Sequence, residues 1–207
     1  MDADVRAQEL LWCAWQTGTR LTALPEDIRP RDDFAAMAVQ DRLAELAGPS
    51  YGWKIGATTE NARAYLGIDT LFAGRLLLAL EMPDSRYADH VAAGKAQVMA
   101  DAACSARFVM GREVLGWREL DLAAHPVIAY LDGAEFARGS GGVVFGDPRF
   151  ALRWLAGELP RLGHRLRAGD FVTTGTTTTP VPITTGSHVL ADFGDLGTVE
   201  ARFAGGG

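Results

Sequence analysis

The chain has 207 residues, of which 48% are hydrophobic and 22% are charged, which is typical of a soluble globular protein with at least one core of useful size. Its 26 acidic and 20 basic residues give a formal net charge of −6, and the arginines are scattered along the chain. This charge pattern argues against nucleic-acid binding and favours a small-molecule ligand.

The N-terminal quarter of the chain is predicted to be helical. Apolar residues at helical spacing indicate a first helix over residues 4–17, which ends at Gly18. A second helix is predicted over residues 32–47, since Gly48 and Pro49 stop the pattern. A short strand over residues 53–57 and a brief helix over residues 61–66 are predicted to follow.

The rest of the chain is predicted to be rich in β-strand. A strong two-residue hairpin signal, Asp132-Gly133, lies between two of the strands. Asp147 and Pro148 predict the start of another helix, which frays near Pro160. The predicted strands cover residues 76–82, 97–110, 126–131, 134–137, 171–174, 188–193 and 198–203. We therefore expect an α+β fold in one domain over residues 1–207, with a helical part over 1–50 and a β-rich core over 51–204.

The sequence also bears on compartment. The uncharged apolar runs, such as Leu76 to Leu80, are far shorter than the roughly 20 residues that cross a bilayer. The N-terminus is acidic where a secretory signal would carry lysine or arginine. Cys13 and Cys104 are too few for a disulfide scaffold or a cysteine-based zinc site. We expect a cytoplasmic protein without membrane contact.

Several motifs occur in an order that points to a known family. They are Gly52-Trp53-Lys54-Ile55-Gly56, Gly74-Arg75-Leu76, Glu81-Met82-Pro83-Asp84-Ser85-Arg86, and Gly139-Ser140-Gly141 followed by Gly146-Asp147-Pro148. With these motifs the chain resembles the fumarylacetoacetate hydrolase family, in its 2-keto-4-pentenoate hydratase and 4-oxalocrotonate decarboxylase branch. The resemblance implies a mixed β-barrel or β-roll core with N-terminal helices, truncated relative to the family, and at least a homodimer.

The chain departs from the family where a metal site is expected. In typical members a segment between the motifs at Gly74 and Glu81 carries a Glu-x-Glu pair, which together with the residue at Glu81 holds magnesium or manganese. That segment is missing here, so only Glu81 remains of the three carboxylates. One carboxylate is a poor site for a hard divalent cation. We therefore expect weak or absent magnesium and manganese binding, and no other cofactor.

The resemblance implies catalytic roles for Lys54, Glu81 and Asp84. Burial would lower the pKa of Lys54 and suit it to proton transfer, although a strand lysine can also simply face solvent. Glu81 interrupts an apolar strand, where a salt bridge without chemistry is the alternative. Asp84, Ser85 and Arg86 are predicted to line the site, Ser85 and Arg86 as substrate-binding residues, but Pro83-Asp84-Ser85 is also ordinary turn chemistry.

Two further segments are predicted to bind substrate. Where the family reads Asp-Asn-Ala-Ser, this chain has altered residues that include Cys104, and we expect Cys104 and Ser105 to contact substrate, with Cys104 as a packed thiol rather than a nucleophile. The hydroxyl-rich run around Thr174, Gly175 and Thr176 could donate hydrogen bonds to an enolate or carboxylate oxygen. Its alternative is a threonine-rich strand end.

The family chemistry shares an enolate step on a small acid with a 2-oxo or related carbonyl group. The resemblance thus implies a small-molecule lyase of hydratase or decarboxylase type. Two alternatives remain open: a metal-independent dehydratase, isomerase or cyclase of specialised metabolism that uses the same pocket, and a non-catalytic binding or partner subunit, since fold does not fix function.

Overall fold

The computed structural model of the chain describes residues 2–48, the backbone of residues 52–54, and residues 75–204. The chain divides into two compact units. The first comprises Met1–Lys54, Met82–Arg107 and Leu159–Val172, and the second comprises Ile55–Glu81, Phe108–Glu158 and Thr173–Gly207. The expectation of one domain stays a prediction.

Helices dominate the first unit. They are α1 (Ala3–Thr17), α2 (Asp33–Ala47), α3 (His90–Ala93) and α4 (Lys95–Ala100). Helix α1 ends at Gly18, which has a left-handed φ of 68°. Glycine adopts this conformation without strain because it has no β-carbon. Helix α2 begins at Asp32, whose carboxylate accepts a hydrogen bond from the Ala35 N–H at 2.8 Å. Both predicted N-terminal helices are confirmed.

The apolar faces of these helices form one core in the first unit. Its buried members come from α1, α2, α4 and the segments between them: Ala7, Leu11, Leu24, Ile28, Ala36, Val39, Leu43, Tyr87 and Ala100. Burial of these side chains supplies the main driving force for folding of this unit. The core also reaches Tyr87, next to the predicted site residues.

The prediction of a strand over residues 97–110 is wrong in its first part. Residues 97–100 belong to α4, and the strand β3 begins only at Arg107 (Arg107–Val114). Gln97 explains the helix, because its amide is buried, donates to the Ala93 carbonyl one turn earlier and accepts from the Leu24 N–H at 2.7 Å. A short apolar run does not reveal such a distant partner, and its periodicity fits helix and strand alike.

An antiparallel sheet of four strands organises the second unit. Its strands are β4 (Pro126–Leu131), β5 (Ala134–Ser140), β7 (His188–Asp192) and β8 (Thr198–Arg202), in the order β5-β4-β7-β8. The β4–β5 hairpin turns at Asp132 and Gly133, whose φ angles of 51° and 83° are typical of a tight two-residue turn. Helix α5 (Pro148–Glu158) begins at the predicted proline.

The remaining strands form two pairs. Strand β2 (Leu76–Met82) pairs with β3, and β1 (Gly52–Lys54) pairs with β6 (Phe171–Thr173). The described strands therefore form three separate sheets, none of which closes into a barrel, so the α+β class is confirmed but the barrel form is not found in this part of the chain. The predicted helix over residues 61–66 lies outside the described residues. Within the described ranges, no helix is both long and apolar enough to cross a bilayer.

The threonine-rich segment after β6 packs against β5 through a glycine. A β-carbon at Gly139 would overlap the carbonyl oxygen of Thr177 and also meet the backbone of Thr178. Backbone atoms cannot move aside as a flexible side chain can. Gly139 therefore sets how closely the threonine segment approaches the sheet.

We expect Gly139→Ala to lower the free energy of unfolding by about 1–3 kcal/mol, because the added methyl group forces the two backbones apart. Arg138→Ala on the same strand is the control, since it removes only an exposed ion pair with Glu135. Urea denaturation of both variants measures the difference. Equal stabilities for Gly139→Ala and the wild type would contradict the close approach.

Candidate functional site

Five of the predicted site residues lie close together in the first unit. Asp84, Ser85 and Arg86 follow the end of β2, while Cys104 and Ser105 precede β3. The Asp84 N–H donates a hydrogen bond of 2.9 Å to the Cys104 carbonyl, which joins the two segments directly. The structure thus brings these five residues into one cluster.

A buried ion pair lies at the centre of this cluster. Arg86 is 7% exposed and Asp101 is 0% exposed. Arg86 Nε lies 3.1 Å from Asp101 Oδ1, and the Arg86 backbone N–H donates to Asp101 Oδ2 at 3.0 Å. The guanidinium also stacks on the Trp15 ring of α1, 4.1 Å from its centroid. A charge this deeply buried needs such partners, because desolvation is costly.

Ser85 adds a second hydrogen bond to Oδ2 of the buried Asp101 carboxylate. Its hydroxyl donates to Asp101 Oδ2 at 2.9 Å and accepts from the Tyr87 N–H at 3.1 Å. Burial raises the pKa of Asp101, while the Arg86 charge and these hydrogen bonds lower it and limit the rise. Burial also raises the pKa of Tyr87. Because it makes these two hydrogen bonds, the Ser85 hydroxyl is already bonded to protein atoms.

Asp84 occupies a different environment at the rim of the cluster. Its carboxylate is half exposed and lies 2.6 Å from Arg20 Nη2. Arg20 Nη1 also donates to the Ser85 carbonyl at 2.6 Å. Asp84 is therefore the carboxylate of this cluster that solvent and small molecules reach most readily.

The segment before Ser105 has an unusual backbone. Ala102, Ala103 and Cys104 have φ angles of 50°, 52° and 62°, so three consecutive residues other than glycine are left-handed. Such a conformation is costly for L-amino acids and is observed mostly at constrained positions. The Cys104 side chain is half-buried, and neither cysteine forms a disulfide.

The contacts described above do not include the other predicted site residues. The Lys54 side chain lies outside the described residues. Glu81 is half-buried near the end of β2. Thr174 and Gly175 are half-buried and Thr176 is exposed, in the second unit. Their predicted roles stay predictions.

Trp15, Arg20 and Asp101 belong to the cluster although the sequence motifs do not predict them as site residues. Arg20 is 64 residues from Asp84, and Trp15 is read from the sequence as an ordinary apolar residue of a helix. Asp101 carried a signal, because an acidic residue in a run of small apolar residues requires a partner when it is buried. The sequence does not say which of the scattered arginines is that partner.

The described residues do not provide a site for a divalent cation. Among residues 2–48 and 75–204, no group of three or more histidine, cysteine, aspartate or glutamate side chains is placed to hold a metal ion. Asp101 is paired with Arg86 and accepts a hydrogen bond from Ser85, and Asp84 is paired with Arg20. These carboxylates therefore do not fit a metal as they stand.

Comparison with known proteins identifies the family. No protein-family model matches the chain. The chain is 34% identical over 178 residues to 2-keto-4-pentenoate hydratase of Burkholderia vietnamiensis, an alignment that covers 82% of this chain and 68% of the relative. The chain therefore belongs to the fumarylacetoacetate hydrolase-like family, in the branch whose members are named 2-keto-4-pentenoate hydratase and 4-oxalocrotonate decarboxylase.

Two further comparisons concern fold and length. The structure of 4-oxalocrotonate decarboxylase from Pseudomonas putida G7, complexed with calcium and acetate, matches with a TM-score of 0.81 at 23% identity and covers 97% of this chain and 96% of that one. This likeness confirms the predicted fold family. 2-Keto-4-pentenoate hydratase 1 of Dechloromonas aromatica is 29% identical over 252 positions, covering 96% of each chain. That alignment is longer than the 207 residues of this chain, so part of the relative has no counterpart here.

We expect the buried ion pair to contribute far more to stability than the exposed one. Arg86→Met leaves Asp101 buried without its counter-charge, which should cost about 3–5 kcal/mol. Arg20→Met removes an exposed ion pair with Asp84 and should cost less than about 1 kcal/mol. Urea denaturation of the two variants, which carry the same substitution, tests the comparison. Equal losses would contradict the central position of the buried pair.

Proposed function

We propose that this chain is a small-molecule lyase of hydratase or decarboxylase type that acts on an enolisable 2-oxo acid. The observation that carries the proposal is the family membership, at 34% identity to a relative named 2-keto-4-pentenoate hydratase. The cluster around Asp84 supports it, since an accessible carboxylate lies beside a rigid buried network. Such a network holds a site in one geometry.

The reaction proposed here depends on stabilising an enolate. Proton loss next to the carbonyl, or loss of carbon dioxide, leaves negative charge on the carbonyl oxygen. Hydrogen-bond donors and positive charge aimed at that oxygen lower the barrier. In this proposal Lys54 stabilises the oxygen or transfers the proton, and Glu81 and Asp84 act as further proton carriers. Thr174 and Thr176 supply hydroxyl donors beside Gly175.

The substrate-binding part of the proposal includes Cys104 and Ser105. Ser105 carries its carbonyl toward the buried Arg86, at 3.1 Å from Nη1, so its backbone is fixed in place. Ser85 and Arg86 were predicted to bind substrate too. Their polar atoms contact Asp101 and the backbone, which favours a role in shaping the site over direct contact.

The proposal also concerns metal binding. Solved structures of this fold include 4-oxalocrotonate decarboxylase complexed with calcium and with magnesium. A divalent cation on a 2-oxo acid supplies Lewis-acid stabilisation of the enolate oxygen. Asp84 and Asp101 are each paired with an arginine, and the family resemblance implies that only Glu81 is kept of the three family ligands. We propose that this chain binds magnesium or manganese weakly, and no step above is assigned to a metal.

A second candidate function follows from the shorter chain. The alignment that covers 96% of the Dechloromonas relative includes positions absent here. Loss of a segment next to a pocket would admit larger substrates. This favours a metal-independent dehydratase, isomerase or cyclase of specialised metabolism with the same residues. In either case we propose a small-molecule substrate, a homodimer and a cytoplasmic location.

The direct test is turnover of 2-keto-4-pentenoate and 4-oxalocrotonate by the purified chain. Hydration removes the ultraviolet absorbance of the conjugated dienol, and decarboxylation releases carbon dioxide. Each assay is run with a chelator, with magnesium and with manganese. We expect turnover of at least one acid, with little dependence on the added metal. No turnover under any of these conditions would contradict the 2-oxo acid lyase and favour the second candidate or a binding subunit.

Matched variants assign the roles. Lys54 and Lys95 are the two lysines of the chain, and Lys95 is an exposed residue paired with Asp33. Lys54→Met should lower kcat by about 10²–10⁴-fold, whereas Lys95→Met should have little effect.

Metal affinity is tested by calorimetry of the wild type and of Glu81→Gln with magnesium and manganese. Tight binding that this variant abolishes would contradict weak metal binding.

A further inference from the structure

The residues of the turn at Ala102–Cys104 do not by themselves favour its left-handed conformation. Alanine and cysteine lack the side-chain hydrogen bonds by which asparagine or aspartate offset a left-handed backbone. Ala103, with φ 52° and ψ 43°, has a conformation usual for glycine. Three such residues in succession persist only when their surroundings determine the conformation.

Arg86 holds the turn from both sides. Its Nη1 donates to the Asp101 carbonyl at 3.0 Å and to the Ser105 carbonyl at 3.1 Å, the residues immediately before and after the turn. Two internal hydrogen bonds, Cys104 N–H to the Asp101 carbonyl and Ser105 N–H to the Ala102 carbonyl, close the turn. One guanidinium thus fixes both ends of a strained segment.

Asp101 in turn holds Arg86 and the neighbouring segment. Its carboxylate faces the Arg86 guanidinium and accepts hydrogen bonds from the Ser85 hydroxyl and the Arg86 N–H. Ser85 and Arg86 are therefore hydrogen-bonded to Asp101, the residue before the turn. The Asp84 N–H also donates a hydrogen bond of 2.9 Å to the Cys104 carbonyl.

We propose that Arg86 and Asp101 are positioning residues for the reaction, which hold Cys104 in the left-handed turn at a fixed place beside Asp84. The sequence motifs predict substrate binding by Arg86 and assign no role to Asp101. The inference rests on the proposed function, because Asp84 and Cys104 are the groups expected at the substrate. The buried pair acts on the reaction through these two residues.

The test combines Arg86→Lys with a rescue by Ala103→Gly. Lysine keeps the positive charge opposite Asp101, but it has one nitrogen for contacts that Arg86 divides between two: Nε faces Asp101 Oδ1, and Nη1 donates to both carbonyls. Misplacing reacting groups by about 1 Å costs on the order of 100-fold in rate, so kcat should fall by that order, with a smaller change in KM. Glycine adopts the left-handed turn without restraint, so the double variant should recover most of the lost kcat. A rise in KM without rescue would overturn the proposal in favour of direct substrate binding.

A second readout is independent of activity. In a Cys13→Ser background, Ellman's reagent reports the reactivity of Cys104 under native conditions. Arg86→Lys should raise the labelling rate at least several-fold, and adding Ala103→Gly should bring it back. Arg149→Lys is the control for the same substitution, since Arg149 also pairs with an aspartate, Asp147, although in a more exposed position in the second unit, and it should leave labelling unchanged.

The outcomes separate the two proposals. A chain without turnover whose Cys104 labelling follows this pattern would contradict the proposed function and support the positioning role. Unchanged labelling in Arg86→Lys would overturn the positioning role, whatever the activity. If Arg86→Lys does not fold, Ala103→Gly alone remains informative, because relief of a strained turn should raise the melting temperature. A lower melting temperature would overturn the proposal.

Discussion

The buried ion pair between Arg86 and Asp101 is the interaction on which the described site depends. It joins the segment after β2 to the segment before β3, and the Trp15 ring of α1 covers the guanidinium. With 7% and 0% exposure, neither charge can be left without the other except at a high cost in free energy. The hydrogen bonds of the pair to backbone atoms hold the two segments together. The neighbouring Asp84 remains accessible while its position is restrained.

This arrangement changes how the family motif is understood. The run Asp84-Ser85-Arg86 looks from the sequence like three residues aimed at a substrate. In the structure they differ: Asp84 is at the rim, the Ser85 hydroxyl bonds to Asp101, and Arg86 is buried. One motif can therefore contain residues that are accessible to a ligand and residues that hold those accessible residues in position. The family membership supports the enolising lyase that we propose.

Much of the fold could be predicted from local signals, but the site could be predicted only in part. Gly18, Asp132-Gly133 and Pro148 mark their turns and helix ends because each meets a backbone requirement that few other residues satisfy. Residues 97–100 were misassigned because the partner of Gln97 is Leu24, 73 residues away. Arg20 and Trp15 reach the cluster through the same kind of distant contact. Alanine at a left-handed position carries no sequence signal, so the turn at Ala102–Cys104 could not be foreseen.

The most direct measurement of the central claim is nuclear magnetic resonance of the turn itself. A positive φ brings the amide and α protons of one residue close together, which gives a strong intraresidue nuclear Overhauser effect. Wild-type protein should show this effect at Ala102, Ala103 and Cys104. Asp101→Asn, which removes the buried negative charge at almost constant volume, should weaken it at all three residues while the signals of the four-stranded sheet stay in place. Persistence of the strong effects in that variant would contradict the claim that the buried pair holds the site.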